Sequence, residues 1–200
     1  MNLTKKDKPM KAYKYPNKYT SLLKAKTKTF TKTYRPYLYG AYGSNLNMSQ
    51  MQLRCPLAKK IGVVRLPDYE LVFRGVADIA HKADAEIMLG IWQITDQCES
   101  SLDVYEGFPR LYGKKVFDIN AGHFEALYDR DIDIEKNQKL LVYQMIDQTE
   151  IYRPNQHYLQ SIAKGFVDFG IRKDAIEIAV QNSYTHETFI DPQDQFSWRK

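Results

Sequence analysis

Seven β-prone runs of five to seven residues, each closed by turn-forming or charged residues, dominate the chain between Tyr37 and Ile146. They are Tyr37–Tyr42, Ile61–Arg65, Tyr69–Phe73, Met88–Ile94, Lys115–Ile119, Phe124–Tyr128 and Leu140–Ile146. Val, Ile, Tyr and Phe concentrate inside these runs. Turn signals such as Leu66-Pro67-Asp68 and Asn120-Ala121-Gly122 separate them, so they read as short strands joined by tight connections. No apolar run is long enough for a bilayer-spanning helix. A sheet-centred fold follows, and the open question is how many helices accompany it.

Four segments carry helical signals. Met48–Arg54 is closed by Cys55-Pro56. Asp96–Tyr105 follows Thr95, a good N-cap, and stops at Glu106-Gly107 with glycine placed as a C-terminal signal. Asn155–Phe169 spaces Tyr158, Leu159, Ile162, Ala163, Phe166 and Phe169 at helical period between Pro154 and Gly170. Asp174–Ser183 gathers Ala175, Ile176, Ile178, Ala179 and Val180 on or near one face. Strands and helices do not alternate as βαβ units, so the expected class is α+β. A G-x-G-x-x-G fingerprint and a P-loop are both absent, which leaves dinucleotide-binding and NTPase readings unsupported.

Charge divides the chain. Residues 1–36 carry ten Lys, Arg35 and one acid, Asp7, a net +10, while the remainder carries −5. The expected organisation is a basic arm over residues 1–35, one domain over 36–190 and a short tail over 191–200. The arm lacks a hydrophobic stretch of signal-peptide length. Its segments Ala12–Tyr19 and Lys26–Tyr34 interleave Lys with Tyr or Phe, a composition suited to phosphates and stacked bases of single-stranded nucleic acid. A solvated tail whose aromatics pack on the body has the same composition and is the preferred reading. Two cysteines, Cys55 and Cys98, make no disulfide framework, and four histidines form no ligand-spaced cluster. A cytoplasmic protein without a metal or a membrane partner is expected.

Two short motifs carry chemical potential. In Tyr42-Gly43-Ser44-Asn45-Leu46 a strand gives way to a helix start, where unpaired N–H groups and a glycine allow a carboxylate or oxyanion close to the main chain. Ser44 or Asn45 as the cap of an ordinary turn accounts for the same residues. In Leu102-Asp103-Val104-Tyr105-Glu106-Gly107 the glutamate closes a helix, where the negative dipole end and partial burial raise a carboxylate's proton affinity. Such a group serves as general acid or base near neutral pH. A solvated helix-end glutamate is the plain alternative.

Together these motifs resemble the gamma-glutamylcyclotransferase-like (AIG2-like) family across roughly Pro36 to Tyr184. The carrying residues are Tyr42–Leu46, Leu102-Asp103-x-Tyr105-Glu106-Gly107 and Leu111-Tyr112-x-Lys114. Further matches are Arg65-Leu66-Pro67-x-Tyr69, Phe73-Arg74-Gly75-x-Ala77-Asp78-Ile79, Tyr143-x-Met145, and Pro154-x-x-x-Tyr158-Leu159 with Gly165 and Asp168-Phe169-Gly170. The resemblance implies a small mixed, mainly antiparallel β-barrel flanked by helices, with the Tyr42–Leu46 loop at the cavity mouth.

It also implies a cofactor-free enzyme that cyclises a gamma-glutamyl group to 5-oxoproline and releases an amine or amino acid. Glu106 would be the general acid/base, and Tyr42, Gly43, Ser44, Asn45, Leu46, Tyr112 and Tyr143 the substrate-binding residues. The substrate's own α-amine is the nucleophile, so the proximity advantage arrives with the substrate. The rival reading is a non-catalytic module on the same fold that holds a small metabolite or nucleotide, with the basic arm docking nucleic acid.

Overall fold

The computed structural model describes residues 37–129, 137–148 and 150–184. The expected arm (1–35) and tail (191–200) lie outside those residues. Six strands form one sheet: β1 Tyr37–Ala41, β2 Lys59–Phe73, β3 Ala77–Ile94, β4 Tyr112–Ile119, β5 Phe124–Leu127 and β6 Gln138–Met145. Four helices accompany them: α1 Met48–Arg54, α2 Asp96–Glu106, α3 Gln156–Asp168 and α4 Asp174–Tyr184. The α+β class therefore holds.

The strand order is β4-β6-β1-β3-β2-β5. Every pairing is antiparallel except β1 with β6, where Leu38 faces Leu140 and Tyr39 faces Leu141. The barrel implied by the resemblance is not closed: β4 and β5 are the two edges and do not pair among the described residues. Five residue steps from Ile119 to Phe124 span at most about 18 Å. Six flat strands would set their edges about 24 Å apart. The sheet must therefore curl toward a barrel. The chain passes from one edge to the other through the 3-10 turn Ala121–His123, which Asn120 and His123 cap.

Two expected strands, Ile61–Arg65 and Tyr69–Phe73, are one long strand. The Leu66-Pro67-Asp68 signal is a bulge inside it, where Asp68 takes a φ of 60° and register shifts between Pro67 and Tyr69. Across from it Asp84, at φ 62°, donates its N–H to Asp68 Oδ1 at 3.2 Å. The polar stretch His81–Glu86 is thus the exposed middle of β3.

Two glycines decide where the loop after β1 can sit. A Cβ at Gly90 in β3 would lie 2.3 Å from Leu46 Cδ2, and one at Gly165 in α3 would lie 2.5 Å from Leu46 Cβ and 2.7 Å from Asn47 N. Leu46, fully buried, fills the space both leave open. Asp78 is also fully buried and is paired with Arg74 Nε at 3.0 Å. It accepts the Met145 N–H at 2.9 Å as well, tying the β2–β3 turn to β6. The free cysteines meet behind α1: Cys55 Sγ lies 3.5 Å from the Cys98 carbonyl, and burial followed by its neighbour Cys98 pushes the Cys55 thiol up to about 12. A thiol that stays protonated is a packing group.

Candidate active site

The Tyr42–Leu46 segment turns through a single 3-10 unit, Ser44–Leu46, closed by Leu46 N–H to Gly43 O at 3.0 Å and Asn47 N–H to Ser44 O at 3.1 Å. The helix cap is Asn47, whose Oδ1 accepts from Ser49 and Gln50 N–H, and not Ser44 or Asn45. Trp92 Nε1 donates to the Asn45 carbonyl at 3.0 Å and holds that oxygen inward. Among the described residues, the N–H groups of Gly43, Ser44 and Asn45 donate no hydrogen bond. Free donors therefore come from the turn itself and not from the start of α1.

Glu106 is the last residue of α2. Gly107, at φ 65°, and Phe108 return their N–H groups to the carbonyls of Val104 and Asp103. This Schellman closure satisfies helix-end carbonyls that would otherwise face the carboxylate. Burial lifts the Glu106 carboxyl from 4.5 to about 7, and the Arg54 guanidinium and a hydrogen bond from Asn45 oppose that rise only in part. Asn45 Nδ2 donates to Glu106 Oε1 at 2.7 Å and to Tyr39 OH at 2.8 Å. Among the described residues no hydrogen bond reaches Oε2.

Loop and glutamate face each other across a cavity of about 200 Å³. Its wall is phenolic: Tyr39, Tyr42, Tyr105, Tyr112, Tyr143 and Tyr158, with Val76, Ala77 and Leu111 completing it. Most of these hydroxyls are bound to protein. Tyr42 OH donates to Tyr143 O (2.7 Å), Tyr112 OH to Ala77 O (2.7 Å) and Tyr143 OH to Asp103 Oδ1 (2.6 Å). Burial pushes the phenols of Tyr39, Tyr42, Tyr112, Tyr143 and Tyr158 upward, so they stay neutral. Glu106 is the one carboxylate among the described residues that line the cavity.

A larger cavity of about 490 Å³ lies between β2, β3 and the α3–α4 junction. Its charged rim is internally paired: Glu70 with Lys82, Glu86 and Glu125 with Arg65, Asp174 with Arg172. Among the described residues, none of these carboxylates faces the Tyr42–Leu46 turn.

Of the residues the resemblance singled out, Tyr42, Gly43, Ser44, Asn45, Glu106, Tyr112 and Tyr143 line this cavity. Leu46 does not. Its side chain points into the core, which makes it the anchor of the turn. Gly43 has an ordinary φ of −113°, and a Cβ there would sit 3.1 Å from that of Ala77, a contact tight by a few tenths of an ångström.

Four further residues belong to the site. Tyr39 receives the second Asn45 donor, and Arg54 donates to Asn45 Oδ1 while stacking 3.5 Å over the Tyr105 ring. Tyr158 OH accepts the Ala77 N–H at 3.0 Å. Arg54 had one legible signal, being the single charge between Pro36 and Ala58. Tyr158 is expected to prove structural as well as site-lining. Tyr158→Phe strands the Ala77 N–H, costing about 1–2 kcal/mol in urea unfolding. A loss below about 0.3 kcal/mol would show that the N–H finds another acceptor.

No family model matches the chain. A gamma-glutamylcyclotransferase from Bos taurus is 35% identical over 83 residues, which is 36% of this chain and 44% of the relative. The chain thus matches less than half the length of that relative. A solved gamma-glutamyl cyclotransferase superposes with a TM-score of 0.58 at 23% identity, covering 72% of this chain and 86% of the other. YkqA from Bacillus subtilis gives 0.59 at 18% identity over 84% and 58%, and an uncharacterized protein from Homo sapiens gives 0.54 at 23% over 80% and 91%. These similarities establish the shared fold.

Proposed function

We propose that this chain is a member of the gamma-glutamylcyclotransferase-like (AIG2-like) family and cyclises a small gamma-glutamyl compound to 5-oxoproline, releasing its amine. The observation that carries the reading is that Glu106 and three N–H groups, which donate no hydrogen bond among the described residues, line one small cavity. The Gly43, Ser44 and Asn45 N–H groups would hold the glutamyl end and polarise the oxygen on which charge develops. With Oε1 held by Asn45, Oε2 of Glu106 would take a proton from the substrate's α-ammonium. The freed amine attacks the γ-carbonyl, a five-membered lactam forms, and the C–N bond to the leaving amine breaks. Glu106 returns that proton to the departing nitrogen, then takes the second proton from the ring nitrogen and passes it to the released amine, which leaves as the ammonium, so atoms and charge balance without an enzyme nucleophile.

Cavity size weighs against the nucleotide form of the alternative reading. Ordinary ligand pockets measure about 300–1,000 Å³, so about 200 Å³ suits an amino-acid-sized head and not a nucleotide. Tyr112 and Tyr143, their hydroxyls committed to protein, would wall the glutamyl group.

The test is 5-oxoproline release from a panel of gamma-glutamyl amino acids, peptides and amides. On the substrate found, log kcat/KM should fall with unit slope as pH drops below about 7, because protonating Glu106 removes the base. No release from any compound overturns the proposal. A profile flat from pH 5 to 8 would separate Glu106 from the proton transfer.

A further inference from the structure

We propose that Arg54 is the positioning residue of this site: its guanidinium decides which end of the Asn45 amide faces Glu106, and so which carboxylate oxygen is left to react. The inference rests on the proposed reaction for its kinetic readout, while its geometry stands independently.

An asparagine amide is nearly symmetric in shape, and either end could face a carboxylate. Chemistry breaks the tie, because a guanidinium only donates and an ionised carboxylate only accepts. Arg54 Nη1 lies 2.5 Å from Asn45 Oδ1, which commits that end to oxygen. Both donors of Nδ2 then face inward, one to Glu106 Oε1 and one to Tyr39 OH. Flipped, the amide would set oxygen against oxygen at Glu106 and leave the guanidinium facing an NH₂ group.

Arg54 is itself fixed on three sides. Nη2 donates to Gln50 Oε1 at 2.7 Å, one turn back on α1, and Nη1 also reaches Ser44 Oγ at 3.3 Å. Its plane stacks on Tyr105, the residue before Glu106, and Ser44 Oγ lies 3.0 Å from Tyr105 OH. One side chain thus joins the end of α1, the turn and the last turn of α2. A planar five-donor fork can do this and an ammonium cannot. The titratable groups facing Glu106 are Arg54 from α1, Tyr39 and Tyr42 from β1 and the residue after it, Tyr112 from β4 and Tyr158 from α3. With these phenols neutral, Arg54 is the cation that opposes the effect of burial on Glu106.

Arg54→Met and Arg54→Lys in the full chain test this, with folding checked by circular dichroism. In substrate-free protein, carboxyl ¹³C NMR should show Arg54→Met titrating Glu106 above the wild-type value, with the Asn45 side-chain amide protons losing protection. Turnover of a gamma-glutamyl substrate should drop about 100-fold, in kcat more than in KM, and millimolar guanidinium should restore part of it. Arg54→Lys should keep the titration near wild type yet recover less than about a tenth of the turnover.

An unshifted Glu106 titration in folded Arg54→Met overturns the proposal. A fully active Arg54→Lys does so too, because charge alone would then suffice. If Arg54→Met does not fold, the Arg54→Lys split between titration and turnover decides. Should wild type release no 5-oxoproline from any compound, the reaction reading fails, while the titration and amide protection still decide the role of Arg54.

Discussion

Glu106→Gln is expected to abolish turnover and to stabilise the protein in the same step. The amide keeps the shape and still accepts from Asn45 Nδ2, but it cannot take the α-amine proton. Losing a general acid/base costs about 100- to 10,000-fold. The stability gain follows from the same burial that tunes the site. The folded carboxyl binds its proton with a pKa of about 7, against 4.5 when exposed. Ionisation between those values therefore opposes folding, and the penalty grows with pH toward about 3 kcal/mol near pH 8. The neutral amide escapes it, so urea unfolding at pH 8 should favour the variant by that order, while at pH 4.5 the two proteins should nearly coincide. Turnover within about threefold of wild type would remove Glu106 from the chemistry, since that is barely 0.6 kcal/mol. Equal stability at pH 8 would show that the carboxylate remains solvated.

What is legible in the sequence is local. Thr95 before α2 and Gly107 after it mark that helix to within one residue, and apolar spacing marks α3 and α4 equally well. A cap bonds its own helix, so its signal sits beside its effect. The Pro67-Asp68 signal misleads for a related reason: a bulge and a reversal use the same residues, and only the partner strand decides between them. Asp84 meeting Asp68 is a contact across sixteen positions that no local pattern announces. The candidate site divides along the same line. Glu106 and the turn are visible as motifs, but the cause of the raised proton affinity is only half legible. A helix-end position implies that exposed carbonyls contribute, and the Schellman closure takes them up, leaving burial to act. The network through Arg54, Asn45 and Tyr39 joins three elements, so Arg54 stands out in the sequence only as an isolated charge.

The turn's dependence on distant chain makes Gly165→Ala the sharpest structural prediction. Judged from α3 alone, the change should help, since alanine is favoured over glycine in a helix by about 1 kcal/mol. Packing reverses the sign. The new methyl would lie 2.5 Å from Leu46 Cβ and 2.7 Å from Asn47 N and Leu46 C, and two of those atoms are backbone that cannot rotate away. Overpacking of this kind costs about 1–3 kcal/mol, so the net effect should be destabilising, and relief requires α3 and the turn to separate. Separation moves the Ser44 and Asn45 N–H groups relative to Glu106, and displacements approaching 1 Å cost about 100-fold in a positioned reaction. Gly113→Ala is the matched control: its Cβ would meet nothing nearer than 3.6 Å, so stability should hardly change. If Gly165→Ala is as stable and active as wild type, the turn tolerates movement against α3, and its geometry cannot be what the site depends on. If stability falls while turnover per folded molecule is retained, α3 supports the fold without aligning the donors. Loss of both, with Gly113→Ala unaffected, would trace the alignment of the loop to a helix more than a hundred residues further along the chain.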